Sequence, residues 1–282
     1  MSIFNQVHVV IVNYRTAALT IRLVESLLDQ KIAPLSCITI VENCSPDDSF
    51  AVLKAALPDV NIKLSPVNGG FGAGVNFGAQ DVRAKYILVL NPDTYFEADF
   101  VTPLLAELDR SPDIGLAGFG LVNPDGSNQY GARRFYSMFD IAARRNDLLG
   151  KMMPQRLEKH LMVAETDSGK AFDADWVMGA GFVIRSEVFD KLRGMDESYF
   201  LYLEDVDICA RVWHQGYRVT YFPQYRLVHD HQRQSAQKVL SFSGRAHLRS
   251  LTLFAGRFTL PVFKPPRVSK LVASYERKLR QD

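Results

Sequence analysis

Short, wholly apolar runs alternate with amphipathic segments over the first 120 residues of this 282-residue chain. The pattern predicts strands at 7–12, 37–41, 61–64, 86–90 and 114–119. It predicts helices between them, at 16–30, 47–57, 72–83 and near 98–109. Runs such as VHVVIV and YILVL, apolar at nearly every position, are typical of strands buried on both faces of a sheet. Strand and helix in alternation therefore predict a mostly parallel sheet with helices on both faces.

The alternation ends near residue 120. Residues 131–172 contain many Arg, Lys and Met residues without a clean period, and we predict a loop-rich or partly mobile segment there. Strands are predicted again at 176–185, 217–222 and 225–229. An acidic segment that begins at Glu204 has the spacing of an amphipathic helix.

We interpret residues 1–240 as one α/β domain, with a nucleotide-binding half at 1–120 and a substrate half at 121–240. Residues 241–282 are predicted to form a basic helical extension that prolines interrupt. From Gly244 onward, nine Lys and Arg residues stand against two acids. Such a tail fits either a peripheral contact with an anionic membrane or a final helix packed on the core, and both interpretations stay open.

The composition is that of an ordinary globular protein, with 47% apolar and 23% charged residues. A net charge of +2 gives no reason to predict a nucleic-acid partner. The three cysteines show no metal-ligand or CxxC spacing, which indicates reduced thiols in the cytosol. We see no signal peptide and no apolar stretch of the ~18 residues that would span a bilayer. We therefore expect a cytoplasmic protein, peripheral at most, at the inner face of the cell membrane.

Polar residues follow four of the predicted elements where a parallel sheet would place its carboxyl edge. They are Asn13, Tyr14 and Arg15 after the first strand, Glu42 and Asn43 after the second, Asn68 before a glycine-rich stretch, and Asn91 and Asp93 after the fourth strand. Any one of these positions alone is better explained as a turn, where Asn and Asp are frequent. All four together predict one ligand crevice, because ligands of open α/β sheets bind at that edge.

Two of these segments favour a bound phosphate and a metal. NGGFGAGVNFG (68–78) lacks the Gly-x-Gly-x-x-Gly register of a dinucleotide fold, but its glycines permit close backbone approach and open a helix toward an anion. Asp93, at the end of LVLNPD, suits Mg²⁺ or Mn²⁺ beside a diphosphate, although a plain turn explains it equally well. His229 and His231 follow a β-rich run, where His229 could be a further ligand.

Three carboxylates, Glu204, Asp205 and Asp207, occur within four positions in FLYLEDVDICARVWHQG. One explanation is a helix start, because acids in a first turn are stabilised by the helix macrodipole. The other is a general base held beside a substrate hydroxyl. We assign Asp207 to the first explanation, with Ile208 and Val212 on the buried face of the helix.

Taken in order, VVIVNYR, IVENCSPDD, NGGFGAGVNFGA, YILVLNPDT, the segment from WVMGAGFVIR to YLEDVDICARVWHQGYRV, and LVHDHQRQS resemble the family 2 glycosyltransferases. The resemblance covers roughly residues 7 to 235 and is nearest to a bacterial rhamnosyltransferase-like branch. It implies the GT-A fold, a Rossmann-like, mostly parallel sheet flanked by helices, which agrees with the alternation above.

The resemblance also implies roles on the donor side. The residues it would place around the nucleotide sugar are Asn13, Tyr14, Arg15, Glu42, Asn68, Gly74, Asn76, Asn91 and Asp93. Asp93 would be the metal-binding acid of the family's DxD-type motif, and His229 would complete the metal site. The chain departs from the pattern twice, because Glu42 stands where Asp is usual and Asn91 replaces the first acid of the metal motif.

On the acceptor side, the resemblance implies that Asp205 is the catalytic base and that Glu204 orients the acceptor. Trp176 and the GAG that follows it would form the floor near the sugar. The implied reaction is inverting transfer, with L-rhamnose from dTDP-L-rhamnose as the leading donor and a UDP-sugar as the next. The implied acceptor is a saccharide or a polyprenyl-diphosphate-linked saccharide of cell-envelope or O-antigen synthesis, and the implied cofactor is Mg²⁺ or Mn²⁺.

Two other classes compete with this hypothesis. A sugar nucleotidyltransferase would also use an α/β sheet, acids and metal, but should show an early phosphate loop rich in Gly, Lys and Arg where this chain has NYRTAA. A non-catalytic nucleotide-sugar-binding module would keep the crevice but would have no need for the acidic helix start at Glu204 and Asp205.

Overall fold

The computed structural model describes residues 6–145, 151–230, 242–258 and 260–279. The strands in these ranges are β1 (Val7–Asn13), β2 (Ile38–Glu42), β3 (Asn61–Leu64), β4 (Tyr86–Leu90), β5 (Thr94–Tyr95), β6 (Ile114–Val122), β7 (Ala132–Arg133), β8 (Phe172–Asp173), β9 (Trp176–Val177), β10 (Gly181–Arg185) and β11 (Arg218–His229). The helices are α1 (Ala17–Asp29), α2 (Ser49–Ala56), α3 (Phe71–Ala79), α4 (Val101–Arg110), α5 (Met138–Arg145), α6 (Pro154–His160), α7 (Val163–Asp167), α8 (Ser186–Lys191), α9 (Glu204–His214), α10 (Phe242–Arg257) and α11 (Val268–Leu279).

Nine of the described strands form one sheet, in the order β3-β2-β1-β4-β10-β6-β11-β5, with β8 paired to β11. β3, β2, β1 and β4 are parallel, and β6 is parallel to β11. β10 lies between β4 and β6 and is antiparallel to both. The prediction of a mostly parallel sheet is therefore confirmed. β7 and β9 pair separately as a two-stranded ribbon.

Helices cover both faces of the sheet, as predicted. Side chains alternate along a strand, so Val9 and Ile11 of β1 pack into one apolar cluster, whereas Val10 packs into the other. The first cluster is completed by α1, α2 and α4, and the second by α3, α8, α9 and α11. The carboxyl ends of β1, β2 and β4 are left at one edge of the sheet.

The segment predicted to be loop-rich, 131–172, contains α5, α6 and α7 in its described part, so the prediction of loops is wrong at these three helices. These helices have eight, seven and five residues. A helix of two turns or fewer shows too little of the 3.6-residue period to be recognised from sequence. Tertiary contacts stabilise this segment, including an ion pair of 2.6 Å between Arg156 and Asp140.

Two further boundaries differ from the prediction. The strands expected at 217–222 and 225–229 are one twelve-residue strand, β11, whose pairing with β6 shifts register between Phe222 and Arg226. The helix predicted at 16–30 spans Ala17–Asp29, and the hydroxyl of Thr16, just before it, makes no capping hydrogen bond but donates to Oδ1 of Asn13 at 3.1 Å.

The C-terminal extension is helical, as predicted, and packs on the rest of the chain. Phe254 and Phe258 of α10 are buried, and Tyr275 of α11 stacks on Phe258 with 4.7 Å between ring centroids. Lys278 donates to the carbonyl oxygens of Ala255 and Gly256. The apolar face of the last helix is therefore occupied by protein. The division of the chain at residues 120 and 240 stays a prediction, and within the described ranges no helix is long and apolar enough to cross a membrane.

Candidate active site

Asn13 and Glu42 end neighbouring parallel strands and face each other in register. Both side chains are buried, and the amide of Asn13 donates a hydrogen bond to the Glu42 carboxylate. The other carboxylate oxygen of Glu42 accepts from the backbone N–H of Ser45 at 2.6 Å. These contacts fix both predicted residues at the sheet edge. The contact of Glu42 with a donor base stays a prediction.

Tyr14 and Arg15 follow β1 at the rim of this edge, and both are exposed. Arg15 has a φ of +60°, a left-handed conformation that few residues other than glycine adopt. Its backbone N–H donates to Oγ of Ser45 at 3.0 Å, which joins the loops after β1 and β2. Both side chains are placed where a ligand at the edge could reach them.

Asn43 and Asn68 link the second strand to the glycine-rich segment. The amide of Asn43 donates to Oδ1 of Asn68 and to the carbonyl oxygen of Gly70, each at 3.1 Å. Oδ1 of Asn43 is buried and accepts no hydrogen bond from the described residues. A buried acceptor of this kind is suited to a ligand N–H or O–H. Asn43 was not among the residues implied by the family resemblance, although its position after a strand had pointed to it.

Gly70 brings this segment against the loop that leads into the acidic helix. Its φ is +89°, and a Cβ at this position would lie 2.1 Å from the carbonyl oxygen of Phe200. Only glycine fits here. The contact joins the predicted donor-binding segment to the turn that precedes Glu204.

Gly74 and Asn76 both make contacts within the protein. A Cβ at Gly74 would lie 2.6 Å from Cγ1 of Val12, so this glycine lets α3 approach β1 closely. The Asn76 amide donates to the carbonyl oxygen of Met195 at 2.8 Å and to Glu197 at 2.9 Å. Oδ1 of Asn76 accepts from the Met195 N–H at 2.8 Å. Their contact with the donor stays a prediction.

Asp93 and His229 come together from positions 136 residues apart. Nε2 of His229 lies 3.4 Å from Oδ1 of Asp93, and the Asp230 N–H donates to the Asp93 carbonyl at 2.8 Å. β11 pairs with β5 just beyond Asp93, which explains the proximity. The adjacent His231 lies outside the described residues.

Gln129 sets the tautomer of His229. Its amide nitrogen donates to the carbonyl oxygen of His229 and to Oδ1 of Asn123, so its oxygen is left to face Nδ1 of His229 at 2.7 Å. Nδ1 therefore carries a ring hydrogen, so that in the neutral imidazole the lone pair lies on Nε2, toward Asp93. Gln129 was not predicted, because nothing in its sequence context indicates a contact 100 residues away.

These atoms fit a divalent metal ion. Oδ1 of Asp93 is buried and has no hydrogen-bond partner among the described residues. It lies close enough to Nε2 of His229 for both atoms to bind one cation. The described ranges contain no group of three or more His, Cys, Asp and Glu side chains that could hold a metal. Mg²⁺ commonly takes only one or two protein ligands and completes its shell with phosphate oxygens and water.

Asp205, in the first turn of α9, is held by backbone N–H groups. Oδ2 accepts from Gly179 at 3.1 Å and Oδ1 accepts from Val206 at 2.8 Å. Burial raises the pKa of Asp205, opposed by these hydrogen bonds and by the positive charge of Arg133. A carboxylate with a raised pKa that remains hydrogen-bonded is suited to accept a proton near neutral pH.

Glu204, the neighbour of Asp205, is buried, and its Oε2 has no hydrogen-bond partner within the described chain. Burial, with the nearby charge of Asp205, raises the pKa of Glu204 to about 8. Glu204 therefore holds a proton at neutral pH. Two adjacent carboxyl groups whose pKa values are both raised by burial are typical of catalytic sites.

The turn before α9 is strained. Tyr202 and Leu203 have φ values of +68° and +65°, and a bulky residue in this region costs of order 1–3 kcal/mol. Strain of this kind is concentrated at functional sites, where the surroundings hold it in place. Here it directs Glu204 and Asp205 toward the sheet edge.

Asp207 lies in the first turn of α9, as predicted. Its side chain is in addition fully buried and forms an ion pair of 2.6 Å with Arg211, one helical turn later. Arg211 also donates to the carbonyl oxygens of Leu192 and Gly194, each at 3.0 Å. Ile208 and Val212 are buried, as predicted. Asp207 therefore anchors α9 to the loop after α8.

Trp176 is buried in β9, and its indole N–H donates to the carbonyl oxygen of Arg134 at 2.9 Å. Tyr136 packs against the indole with 5.5 Å between centroids. The neighbouring Arg133 is a buried cation whose charge acts on Asp205. Arg133 was missed by the sequence analysis because it lies in the segment without a period. The acceptor role of Trp176 stays a prediction.

The fold and the acids at its edge define a class, the GT-A glycosyltransferases. The chain belongs to glycosyl transferase family 2, whose model matches residues 8–181. A second model, the N-terminal domain of galactosyltransferase, matches residues 159–232, which include the acidic helix and His229.

Among similar proteins is the N-acetylglucosaminyl-diphospho-decaprenol L-rhamnosyltransferase of Mycobacterium tuberculosis, 26% identical over 87% of this chain and 82% of that protein. The rhamnosyltransferase WbbL of Escherichia coli is 25% identical over 67% of this chain and 70% of its own length. These relatives confirm the predicted resemblance to a rhamnosyltransferase-like branch.

Solved structures confirm the fold. The mannosyltransferase PcManGT from Pyrobaculum calidifontis, in complex with GDP-Man and Mn²⁺, superimposes with a TM-score of 0.60 at 14% identity, over 95% of this chain and 68% of that one. GalNAc-T7 with UDP, GalNAc and Mn²⁺ gives a TM-score of 0.63 at 17% identity, over 99% of this chain and 55% of that one.

Proposed function

We propose that the protein transfers a sugar with inversion from a nucleotide sugar to a saccharide carried on a polyprenyl diphosphate. L-Rhamnose from dTDP-L-rhamnose is the leading donor, and a UDP-sugar is the second. The names of the two rhamnosyltransferase relatives support the sugar, and the diphospho-decaprenol in one of them supports the lipid-linked acceptor. The process would be assembly of a cell-envelope polysaccharide such as O-antigen, which a further relative, an O-antigen biosynthesis protein of Myxococcus xanthus, also supports.

The carboxylate of Asp205 carries the proposal. In an inverting transfer the acceptor hydroxyl loses its proton as its oxygen attacks the anomeric carbon, while the bond from that carbon to the diphosphate breaks on the opposite side. Asp205 accepts the proton, and the N–H groups of Gly179 and Val206 keep its carboxylate oriented. A positioned base of this type contributes about 10²–10⁴-fold to the rate. The raised pKa of Asp205 increases its strength as a base.

Glu204, protonated at neutral pH, donates a hydrogen bond to the acceptor and so orients the hydroxyl toward Asp205. Trp176 provides the floor beneath the acceptor sugar, as the family resemblance implied. Trp176 is buried, its N–H is bonded to Arg134 and Tyr136 packs against its indole, so it would support the acceptor floor from within the protein.

On the donor side, the proposed contacts use Asn13, Tyr14, Arg15, Glu42, Asn68, Gly74, Asn76, Asn91 and Asp93. Asp93 and His229 would hold Mg²⁺ or Mn²⁺, which when bound neutralises the charge that develops on the departing diphosphate. The buried Oδ1 of Asp93 and the tautomer of His229 support this assignment. The N-terminus of α3 adds its partial positive charge on the same side.

The location proposed is the cytoplasm, with peripheral contact at the inner face of the cell membrane. Cys37, Cys44 and Cys209 are reduced thiols, which is consistent with a reducing compartment. The lipid-linked acceptor would require the protein to work at the membrane surface.

A donor and acceptor panel tests this function. The protein is incubated with dTDP-L-rhamnose or UDP-sugars, a polyprenyl-diphosphate-linked N-acetylglucosamine, and Mn²⁺, Mg²⁺ or a chelator, and nucleoside diphosphate release and product mass are measured. We expect a rhamnosylated product that depends on the metal and on Asp205. Transfer with a UDP-sugar alone would replace the donor assignment, and hydrolysis without any glycosylated acceptor would reject the lipid-linked acceptor.

A further inference from the structure

Four strongly exposed apolar side chains lie on one surface, far from the acids of the active site in sequence. Met138, Met152, Val262 and Phe263 have 54%, 71%, 53% and 68% of their surface exposed. Large apolar side chains exposed singly are normal, but a group held together on one face marks an interaction site. We call these four side chains, with the segments 151–159 and 261–270, the docking surface.

The docking surface is built from separate segments that are bonded to one another. The N–H groups of Met138 and Phe139 donate to the carbonyl oxygens of Pro261 and Val262, each at 2.9 Å. The rings of Phe139 and Phe263 lie 6.3 Å apart. The start of α5 and the proline-rich link between α10 and α11 therefore form one continuous face.

Arg156 ties the third segment to this face. Its guanidinium donates to Asp140 at 2.6 Å and to the carbonyl oxygen of Phe263, and it lies 4.9 Å above the ring of Phe139. Met152 and Pro265 line a common cavity of about 790 Å³. The segments that carry Met152, Val262 and Phe263 are thus held together by backbone hydrogen bonds and by Arg156, and the ring of Phe263 adds its contact with Phe139.

Positive charge surrounds the exposed apolar groups. The segments 151–159 and 261–270 contain six Lys and Arg residues and one acid, Glu158; Arg156 is paired with Asp140, so five cations remain against Glu158. Lys264 follows Phe263 directly, Lys151 precedes Met152, and both are exposed. Apolar tips interleaved with cations are the pattern of a surface that enters the headgroup region of an anionic bilayer. A surface made to bind an ordinary protein partner is depleted in Lys.

We propose that the docking surface binds the protein to an anionic lipid bilayer, with Met138, Met152, Val262 and Phe263 inserted among the headgroups and the cations above them. Within the C-terminal region, the segment 261–270 would then contact the membrane. Helix α11 would not, because its apolar face already packs on Phe258 and its neighbours. The inference deepens the proposed function, since a lipid-linked acceptor requires a membrane-facing surface. Tyr136, two residues before Met138, packs on Trp176, so this surface adjoins the proposed acceptor floor.

Vesicle binding by the full-length protein tests the inference. Vesicles of phosphatidylcholine, with or without phosphatidylglycerol, are floated with the wild type and with the double variant Val262→Ser, Phe263→Ser. We expect the wild type to bind only the anionic vesicles, and the variant to bind at least about tenfold more weakly. The variant Lys264→Glu, Arg267→Glu should lose binding in the same way, and added salt should weaken the wild type.

Matched variants elsewhere serve as controls. Leu248→Ser removes an apolar side chain that is 58% exposed on α10, and Lys54→Glu with Arg83→Glu reverses two exposed cations. Both controls should bind as the wild type does, and all variants should melt within a few degrees of it. Equal binding by the serine variant and the wild type would overturn the inference, as would a wild type that ignores anionic vesicles or one that dimerises through this surface. Vesicle binding needs no transferase activity, so failure of the proposed reaction would be seen separately.

Discussion

The backbone N–H of Gly179 donates a 3.1 Å hydrogen bond to Oδ2 of Asp205. The next residue, Ala180, accepts a 2.9 Å hydrogen bond from the N–H of Asn91. Two adjacent residues, Gly179 and Ala180, therefore join the first turn of the acidic helix to the turn that carries Asp93. This link holds Asp205 and Asp93 at the same end of the sheet without a side-chain contact between them.

Asp205→Asn should lose turnover and keep its ligand. The amide can still accept from Gly179, so the turn is retained, but it cannot take a proton from the acceptor. We expect the rate of transfer to fall by about 10²–10⁴-fold with little change in the affinity for dTDP or UDP. Steady-state kinetics and calorimetry measure the two effects. Asp190→Asn, an exposed acid in α8, is the control, and near-normal turnover by the Asp205 variant would remove its assignment as base.

Glu204→Gln should flatten the pH dependence of stability. The pKa of Glu204 is about 8 in the folded protein and 4.5 in its ordinary state. Between these values the unfolded chain is ionised and the folded chain keeps its proton, so raising the pH favours unfolding. In thermal melts, the melting temperature of the wild type should fall by a few degrees more than that of the variant between about pH 5 and about pH 8. Some pH dependence of the stability should remain in the variant, because burial also raises the pKa of Asp205. Identical slopes would show that Glu204 ionises normally.

The central strands could be predicted because burial on both faces leaves a continuous apolar run. The prediction of 86–90 matches β4, and that of 7–12 matches β1 to within one residue. The apolar residues of α1 are only partly buried, since Leu23, Val24 and Leu27 are buried but Leu28 is exposed. The 3.6-residue period shows which side of a helix is apolar. How much of that side is buried depends on the strands that the helix covers.

Part of the site follows from the sequence and part does not. The edge of a parallel sheet brings Asn13 and Glu42 together, and strand patterns alone predict that. Gln129 and Arg133 could not be predicted, because each acts through a contact made only after distant segments pack together. The contact of Asp207 could be predicted in part, because Asp207 and Arg211 have the i, i+4 spacing at which charged side chains pair on a helix.

Gln129→Leu should weaken the proposed metal site, although Gln129 is not one of its proposed ligands. The variant loses the acceptor that holds the hydrogen on Nδ1 of His229. Loss of a hydrogen-bond partner of a metal-binding histidine typically lowers the metal affinity by about 10–100-fold. Calorimetry of dTDP or UDP binding with increasing Mn²⁺ should show this loss, with transfer reduced in parallel. Asn128→Leu is the matched control, because its amide bonds to Asp167 instead. Equal Mn²⁺ dependence in both variants would contradict the role of Gln129.

Gly74→Ala should act mainly on stability. The added methyl group would meet Cγ1 of Val12 at 2.6 Å, and overpacking of this kind costs about 1–3 kcal/mol. Gly256→Ala, in α10, has nothing within 4 Å of its new methyl group and should be neutral or stabilising by up to ~1 kcal/mol. Urea unfolding of both variants measures the difference. Full stability with lost donor binding would instead show that Gly74 contacts the donor.

Arg211→Met should be the most destabilising of these changes. The variant leaves the buried carboxylate of Asp207 without its 2.6 Å partner and removes two hydrogen bonds to the carbonyl oxygens of Leu192 and Gly194. Breaking a buried pair in this way costs about 3–5 kcal/mol. Arg218→Met removes more exposed ion pairs, at 3.3 Å to Asp113 and Asp173, and should cost within about 1 kcal/mol. Denaturant unfolding compares the two. If Arg211→Met is as stable as Arg218→Met, the pair does not anchor α9, and the position of Asp205 must depend on the strained turn at Tyr202 and Leu203.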